Sequence, residues 1–273
     1  MGYVIGIDVG GSTTKIIGLK EGIIESPMFI TAADPVSSLF GAFGKYMYDN
    51  GIALADVQQV MLTGVGSACL ETSLYGLPTA KVDEFMANGL GARYDMQIDP
   101  LLVVSMGTGT SFVRIHDECI EHIGGVGIGG GTLQGLSRLL LKTQDFRHIA
   151  EIAQKGDITH VNLQIGDISN RALPDLPLEA TASLFGKVSS DASAEDIAKG
   201  IICLVLQTIG GAAVLAAVNS PIKDFVLIGN LTQLPQCREI FPSMERIYGV
   251  RFHIPPHAEY RTAIGAALAY QGH

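Results

Sequence analysis

The apolar and polar positions of this chain form a pattern that occurs twice. Within residues 1–32, three apolar, β-rich runs are separated by short glycine turns, and three similar runs occupy residues 101–126. Short apolar runs bounded by turn residues predict β-strands, so each half is expected to open with a three-stranded meander. Longer segments with helical spacing then alternate with single strands in both halves.

This repeat predicts an α/β fold. Self-similarity at this scale is a strong fold signal, and it indicates two related lobes, each with a mixed sheet, facing each other across a cleft. We place the boundary near residues 95–100, which gives an N-terminal lobe of residues 1–96 and a C-terminal lobe of residues 97–273. The final helix, expected at residues 259–270, could pack back near the N-terminal lobe.

Beyond the two meanders, the periodicity predicts individual helices and strands. In the first half these are a helix over residues 34–50, strands over 58–64 and 79–83, and a helix over 84–93. In the second half they are helices over residues 132–142 and 145–154, a polar stretch over 156–178, a helix over 194–218, a strand over 224–229, a helix over 235–247, a strand over 250–254 and the final helix.

One apolar segment, residues 201–218, has no charged residue and approaches the length of a membrane span. Its flanks lack the basic and aromatic residues typical of membrane interfaces. Ser193, followed three residues later by Asp196, provides a capped helix start. We therefore interpret the segment as a helix buried inside a soluble domain, and we expect no membrane partner.

Composition and charge exclude several classes of protein. Glycine contributes 33 of the 273 residues, without the three-residue period of collagen, and the 47% apolar content excludes disorder. The net charge is −9 and no run of Lys or Arg occurs, so a nucleic-acid partner is not expected. The four scattered cysteines form no C-x-x-C motif, and no secretory signal pattern opens the chain. A cytoplasmic protein with reduced thiols is the expected result.

The first candidate for chemistry is the turn after the first strand. Asp8 precedes the Gly10–Gly11 turn, and Lys15 follows on the next strand. A glycine hairpin can approach a phosphate closely and present N–H groups to it. An Asp beside the hairpin can hold Mg²⁺ or its waters, and a Lys can meet the phosphate charge.

Two more glycine turns follow in the second half. The segment Met106–Ser111, MGTGTS, again joins two predicted strands, and the pair of hairpins points to one nucleotide held between the lobes. The run Gly124–Gly131 opens a predicted helix, where free N–H groups and the helix dipole favour an anion.

Two strand ends complete the candidate site. Asp83 and Glu84 stand where a strand passes into a helix, so either could be a general base or a helix-capping residue. Gly229 and Asn230 form a small turn after a buried strand that could receive a nucleoside, although a plain strand-to-helix turn explains it equally well.

These motifs resemble those of the actin-like ATPase superfamily, whose sugar kinases, chaperone ATPases and acid kinases consist of two ribonuclease H-like lobes. Within that superfamily, the chain resembles the type II pantothenate kinases over nearly its whole length. The matching motifs, in the family's order, are GIDVGGSTTK, VDEF, MGTGTS, HIGGVGIGGGTLQGLSRLL, AQKGDITHVNLQIGDI, ATASLFGKV and DFVLIGN.

The resemblance implies a kinase that transfers the γ-phosphoryl group of ATP to the primary hydroxyl of pantothenate, the first step of coenzyme A synthesis. It also implies a homodimer. By the same resemblance, Glu84 is the catalytic base and Asp8 organises Mg²⁺ through ATP and water. The other positions that match the family's nucleotide contacts are Gly10, Gly11, Ser12, Thr13, Lys15, Thr108, Gly130, Gly131, Thr132, Leu133, Gln134, Phe146 and Asn230.

Two positions depart from the family pattern. His122 stands where the family usually has Arg, which implies a substrate-side position whose charge changes near neutral pH. The departure predicts weaker or pH-dependent activity unless Arg114 or Arg138 compensates. Asn230 replaces a family Ser and keeps the turn polar.

Two alternative functions stay open on the sequence alone. One is an actin-like ATPase that activates a dehydratase through an iron–sulfur cluster, which the scattered cysteines disfavour. The other is a catalytically weak nucleotide-binding regulator, which only His122 supports.

Overall fold

Two five-stranded sheets of identical topology form the framework of the protein. The computed structural model describes residues 2–11, 13–31, 34–169, 171 and 176–270. The first half contains β1 (Tyr3–Val9), β2 (Thr14–Lys20), β3 (Ile23–Ile30), α1 (Pro35–Asn50), β4 (Val57–Thr63), β5 (Thr79–Lys81) and α2 (Glu84–Arg93). The strand order of its sheet is β3-β2-β1-β4-β5. The first three strands in sequence pair antiparallel, and β1, β4 and β5 pair parallel.

The second half repeats this plan and adds helices. Its elements are β6 (Leu101–Met106), β7 (Thr110–His116), β8 (Cys119–Val126), α3 (Gly130–Leu141), α4 (Phe146–Ala153), β9 (Leu163–Gln164), α5 (Ile165–Ile168), β10 (Thr181–Ser183), α6 (Ala194–Ala217), β11 (Asp224–Ile228), α7 (Cys237–Tyr248), β12 (Arg251–His253) and α8 (Arg261–Leu268). The strand order of the second large sheet is β12-β11-β6-β7-β8.

The two sheets match strand for strand. The strands β6, β7, β8, β11 and β12 correspond to β1, β2, β3, β4 and β5, with the same antiparallel and parallel pairings. This correspondence confirms the duplication and the mixed sheets that the hydrophobic pattern predicts. The polar stretch over residues 156–178 differs from the prediction, because it contains the short helix α5 and contributes β9 to a small two-stranded sheet.

Local sequence explains where the first helix begins and ends. The carboxylate of Asp34 accepts a hydrogen bond of 2.7 Å from the Ser37 N–H, and Pro35 occupies the first turn, where no N–H is needed. At the other end, Gly51 adopts a φ of 63°, a left-handed conformation that glycine tolerates without strain.

Helix α6 is the apolar helix that the sequence predicts. The Ser193 hydroxyl accepts from the Asp196 N–H, and the Asp196 carboxylate accepts from the Ser193 N–H at 2.9 Å, so the predicted cap is present. The helix is long and apolar enough to cross a membrane by composition, yet just over half of its most apolar stretch is buried inside the protein. Its buried residues belong to the largest core, beneath the second sheet.

Helices α2 and α8 cross between the two large sheets. Gly91 of α2 and Gly265 of α8 allow this crossing, because a Cβ on either glycine would overlap the backbone of the other helix. At the same place, the buried guanidinium of Arg261 donates hydrogen bonds to the carbonyls of Gly91 and Tyr94 and forms an ion pair with Asp95 at 3.0 Å. We call this crossing the α2–α8 joint.

Each helix of the joint packs against a different sheet. Helix α8, although it lies in the C-terminal part of the chain, packs on the first sheet in a core that contains Val4, Ile17, Met61, Ala263, Ile264 and Ala267. Helix α2 contributes to a core on the second sheet that contains Phe85, Ala92, Leu101, Val103, Val113 and Val226. The amino ends of both helices line one cavity between the sheets, through Glu84 of α2 and Thr262 of α8.

Candidate active site

The first glycine hairpin brings two buried charges together. Register pairing sets Asp8 of β1 opposite Lys15 of β2, and a carboxylate oxygen lies 3.7 Å from the ammonium nitrogen. Burial raises the pKa of Asp8, and the Lys15 charge opposes that rise. The turn is closed by a hydrogen bond of 3.0 Å from the Gly10 N–H to the Thr13 carbonyl. Ser12, a predicted nucleotide contact, lies outside the described residues.

The second hairpin faces the first across the cleft. A Cβ built on Gly11 would lie 3.9 Å from the Thr108 hydroxyl, so the two turns are close neighbours. A side-chain hydrogen bond also joins the two halves, since the Asn230 amide donates to the Thr13 hydroxyl at 3.3 Å. Asn230 follows β11 immediately after Gly229, whose φ of 94° turns the chain toward the cleft.

The glycine run before α3 supports the second hairpin. The N–H groups of Gly130 and Gly131 donate to the carbonyls of Gly107 and Thr108 at 2.8 and 2.9 Å. A Cβ on Gly129 would lie only 2.5 Å from the Thr108 carbonyl oxygen. The hairpin carbonyls therefore already accept from these two N–H groups, so an anion at the start of α3 would need other donors. The nucleotide contacts predicted at Gly130 and Gly131 stay predictions.

Three neighbouring predicted contacts lie in different surroundings. The Leu133 side chain is fully buried in the core and lines neither of the two cavities described below, and the nucleotide contact predicted at this position stays a prediction. The Thr132 hydroxyl donates to the Gly127 carbonyl at 3.2 Å, which makes it part of the turn. Gln134 is exposed and lines a cavity.

Two cavities open on either side of the paired hairpins. The first, of about 500 Å³, lies toward α3 and α4. The second, of about 560 Å³, lies toward α2 and β8. They are adjacent, because both are lined by Gly11, Thr13, Lys15, Gly107, Thr108 and Asn230.

The first cavity has aromatic walls. Phe146, a predicted contact, lines it at the first residue of α4, together with Phe29 and Tyr260, which the sequence motifs did not indicate. Flat apolar rings of this kind suit the face of a heterocyclic base. Gly130 and Gly131 line the same cavity.

The second cavity contains the predicted base. Glu84 is the first residue of α2, and Asp83 caps that helix by accepting hydrogen bonds from the N–H groups of Phe85 and Met86 at 2.9 and 3.0 Å. Glu84 is half-buried and has no hydrogen-bond partner among the described residues. Burial raises the pKa of Glu84, and the negative charges of Asp8 and Asp83 raise it further. Asp83 is thus the capping residue, and Glu84 is a carboxyl group available to a ligand.

His122 lines the same cavity from β8. Its ring stacks on Phe85 with centroids 3.7 Å apart and planes 6° apart, so the strand and the start of α2 are held together. Arg114 lies against Glu121 at 3.8 Å and lines neither of the two cavities, and Arg138 is also absent from their linings.

Four further side chains near these cavities belong to none of the sequence motifs. Thr262 of α8 lines the second cavity and donates a hydrogen bond of 2.7 Å to the buried Asn88 of α2. Thr63 is the register partner of Asp8 on β4, and its hydroxyl is buried without a partner among the described residues. Val65, which follows β4, is exposed at the mouth of the second cavity. Each depends on a tertiary contact, and no local pattern reveals it.

The cysteines lie apart from both cavities. Cys203 and Cys237 are buried, and burial raises their pKa values to about 11 and about 12. Cys69 and Cys119 are exposed in different halves of the chain. Within the described residues, the one group of His, Cys, Asp and Glu close enough to share a metal ion contains no cysteine.

Comparisons with known proteins identify the family and the fold of the chain. A family model described as Fumble matches residues 84–266, about two thirds of the chain. A type II pantothenate kinase from Bacillus cereus (strain G9842) is 28% identical over 239 residues, which cover 84% of each chain. Another from Staphylococcus haemolyticus (strain JCSC1435) is 26% identical over 272 residues, covering 96% of this chain and 98% of the relative.

Solved structures share the architecture at lower identity. The activator of the 2-hydroxyisocaproyl-CoA dehydratase from Clostridium difficile, with bound ADPNP, aligns with a TM-score of 0.71 at 18% identity and covers 97% of this chain and 93% of the activator. A ROK family glucokinase from Streptomyces griseus, in complex with glucose and AMPPNP, aligns with a TM-score of 0.61 at 14% identity, covering 97% and 98%. At such identities they establish the two-lobed, actin-like ATPase fold. The family match is specific, and the chain belongs to the Fumble family, the family of the type II pantothenate kinases.

Proposed function

We propose that this protein phosphorylates pantothenate to 4'-phosphopantothenate with ATP as the phosphoryl donor. The observation that carries the proposal is the position of Glu84, a carboxyl group with no hydrogen-bond partner among the described residues, in a cavity that the two glycine hairpins also line. The relatives named type II pantothenate kinase support pantothenate as the acceptor.

The nucleotide would occupy the first cavity and reach the hairpins with its phosphates. Phe146 and Gln134 offer a ring face and an amide for the adenosine end. Lys15 is nearly fully buried, and its ionic partner, Asp8, lies too far away for a good hydrogen bond. A phosphate oxygen would give this ammonium group the close partner that a buried charge requires.

The residues around Asp8 fit a magnesium ion. Mg²⁺ prefers oxygen ligands and usually keeps several waters. The buried Asp8 carboxylate and the hydroxyl of Thr63, its register partner on β4, would supply oxygens for the ion or its waters. The Thr63 hydroxyl is buried and has no partner within the part of the chain that the structure describes. When bound with ATP, Mg²⁺ would neutralise charge on the phosphate oxygens.

Glu84 would act on the acceptor hydroxyl in the second cavity. Its carboxylate orients the hydroxyl of pantothenate by accepting a hydrogen bond and takes the proton onto one of its oxygens as the phosphoryl group is transferred. The raised pKa of Glu84 makes it a better proton acceptor than an ordinary glutamate. Positioning of the two substrates by the hairpins would supply most of the rate.

We also propose that the protein works as a homodimer in the cytoplasm. The outer side of α6 supports the first part, because Leu215 and the adjoining Val218 are exposed apolar residues that a second copy could cover.

A coupled assay of ADP release, with and without pantothenate, tests the proposed reaction. We expect ADP release to depend on pantothenate and a new phosphomonoester to appear by ³¹P nuclear magnetic resonance. ADP release at the same rate with and without pantothenate would indicate an actin-like ATPase that activates a dehydratase. ATP binding without either product would indicate a nucleotide-binding regulator.

A further inference from the structure

A buried polar pair lies directly beneath the proposed base. Asn88 of α2 and Thr262 of α8 are both buried, and the Thr262 hydroxyl donates a hydrogen bond of 2.7 Å to the Oδ1 atom of Asn88. The two residues are 174 positions apart in the chain, and they meet because α2 and α8 cross at the α2–α8 joint. Thr262 also lines the second cavity, together with Glu84.

The hydrogen bond determines the orientation of the Asn88 amide. Because Oδ1 accepts from Thr262, the Nδ2 end of the amide must point elsewhere. Nδ2 is buried and has no partner among the described residues. Leaving a buried amide donor unpaired is costly, so such a group in a native protein needs a specific explanation.

Helix geometry directs this donor toward Glu84. Asn88 lies four residues after Glu84, and side chains spaced by four are neighbours on one face of a helix. Side chains in a helix also lean toward its amino end, so the Asn88 amide leans toward the turn that carries Glu84. Glu84 in turn has no hydrogen-bond partner among the described residues, and an amide donor is well suited to a carboxylate.

We propose that Asn88 is a positioning residue for Glu84, and that Thr262 orients Asn88 for this purpose. The structure contains no hydrogen bond between the two groups; rotation of the half-buried Glu84 side chain toward its own helix would let Nδ2 donate to one carboxylate oxygen and leave the other oxygen directed at the acceptor hydroxyl. The inference rests on the proposed function, since it assigns a second residue to the same base. It also connects the two lobes, because Thr262 belongs to the helix that packs on the first sheet.

The chain offers a matched control for this pair. Asn162 is also fully buried, its Oδ1 accepts from the Phe185 N–H at 3.0 Å, and its Nδ2 likewise has no partner among the described residues. It lines neither cavity. Asn88→Asp and Asn162→Asp therefore make the same chemical change, one beneath the base and one away from it.

Steady-state kinetics on the full chain test the role of Asn88. In Asn88→Asp the donor becomes an oxygen that repels Glu84, so kcat should fall about 10- to 100-fold, as for loss of a hydrogen bond to a charged group, while KM for pantothenate changes little. Asn162→Asp should lose thermal stability and keep its kcat. Equal kcat losses in the two variants would overturn the proposal.

Thr262 provides a second route if Asn88→Asp does not fold. Thr262→Val removes the hydroxyl at nearly constant volume, and Thr262→Ser keeps it. We expect kcat to fall in the valine variant and to be restored in the serine variant. A valine variant with the wild-type kcat would contradict the role of Thr262 in orienting the amide.

Nuclear magnetic resonance separates this inference from the proposed function. In ¹⁵N-labelled protein without substrates, the side-chain amide signals of Asn88 should shift in Glu84→Gln, while those of Asn162 stay in place. The shift depends on the contact between Asn88 and Glu84, and no acceptor is needed. If wild-type protein does not phosphorylate pantothenate but the shift occurs, the proposed acceptor is wrong and the positioning pair stands. If the Asn88 signals do not move, the pair is wrong.

Discussion

The two hairpins that face each other across the cleft share a backbone plan and differ in charge. The last residue pair of the β1–β2 ladder is Val9 with Thr14, and the last pair of the β6–β7 ladder is Met106 with Thr110. The next pair away from the turn is Asp8 with Lys15 in the first hairpin. The equivalent pair in the second hairpin is Ser105 with Ser111, so a buried ion pair corresponds to a pair of hydroxyls.

The difference extends to the neighbouring strand. Thr63 of β4 is the partner of Asp8, whereas Ile228 of β11 is the partner of Ser105. The Asp, Glu and Lys side chains that line the second cavity, Asp8, Glu84 and Lys15, all come from the first half of the chain. The duplicated backbone thus provides two similar turns, and the proposed chemistry is concentrated in one of them. Lys15, the N–H groups of the hairpins and a bound Mg²⁺ would supply the positive field that a chain of net charge −9 needs to hold a polyphosphate.

The largest effect is expected at Glu84, the proposed base. Glu84→Gln keeps the size and removes the proton acceptor, so kcat should fall about 10²- to 10⁴-fold, while the affinity for ATP is retained. Steady-state assays and a direct ATP-binding measurement check this. Asp83→Asn is the matched control, because an Asn still caps α2 and leaves Glu84 in place.

The pH dependence of kcat gives a second readout of the same carboxyl group. Burial and nearby negative charge raise the pKa of Glu84, and the reaction needs the deprotonated form. The rate should therefore decline as the pH falls through this raised pKa, at a pH above the ordinary glutamate value of about 4.3. An acid limb at or below the ordinary value would contradict Glu84 as a desolvated base.

Removing the cation of the first hairpin should have the next largest effect. Lys15→Met deletes the ammonium group proposed to meet the phosphates, and kcat should fall about 10²- to 10³-fold, as when one transition-state donor is lost. Ser111→Ala alters the equivalent position of the second hairpin and should cost less than about tenfold, the scale of a neutral hydrogen bond. Similar losses in both variants would break the contrast between the hairpins. Lys20→Met, at the far end of β2, serves as a charge control.

The support of the second hairpin can be tested at a glycine. A Cβ in Gly129→Ala would approach the Thr108 carbonyl and the Gly109 Cα to 2.5 and 2.8 Å, so the hairpin must shift. The free energy of unfolding should fall by about 1–3 kcal/mol, and ATP should bind more weakly. Gly135→Ala, on the same helix, has open space around the added Cβ and should be neutral or stabilising. Thermal denaturation with and without ATP distinguishes the two variants.

The parts of the molecule that the sequence predicts are those encoded locally. Apolar periodicity and glycine turns suffice for the strands, for the duplication and for the two hairpins. Helix α3 begins at Gly130, two residues before the predicted start, because its first N–H groups find carbonyls in the distant second hairpin. The Asn88–Thr262 pair likewise depends on a contact between distant parts of the chain, so the sequence does not predict it. The interaction forms only when the last helix folds back onto the first sheet, and neither residue belongs to a local pattern.

The smallest effect is expected for His122→Arg. This substitution would reduce the difference in charge between the two halves of the chain where they line the second cavity. His122→Arg would give the second lobe a permanent charge in the second cavity. The existing stack on Phe85, with centroids 3.7 Å apart, is one that a guanidinium can also form. The carboxylate of pantothenate would then meet a guanidinium group, so KM for pantothenate should fall by up to about fivefold, the scale of an exposed ion pair. An unchanged KM in the variant would mean that residue 122 does not meet the acceptor's charge, and the asymmetry between the lobes would then be tolerated without compensation from β8.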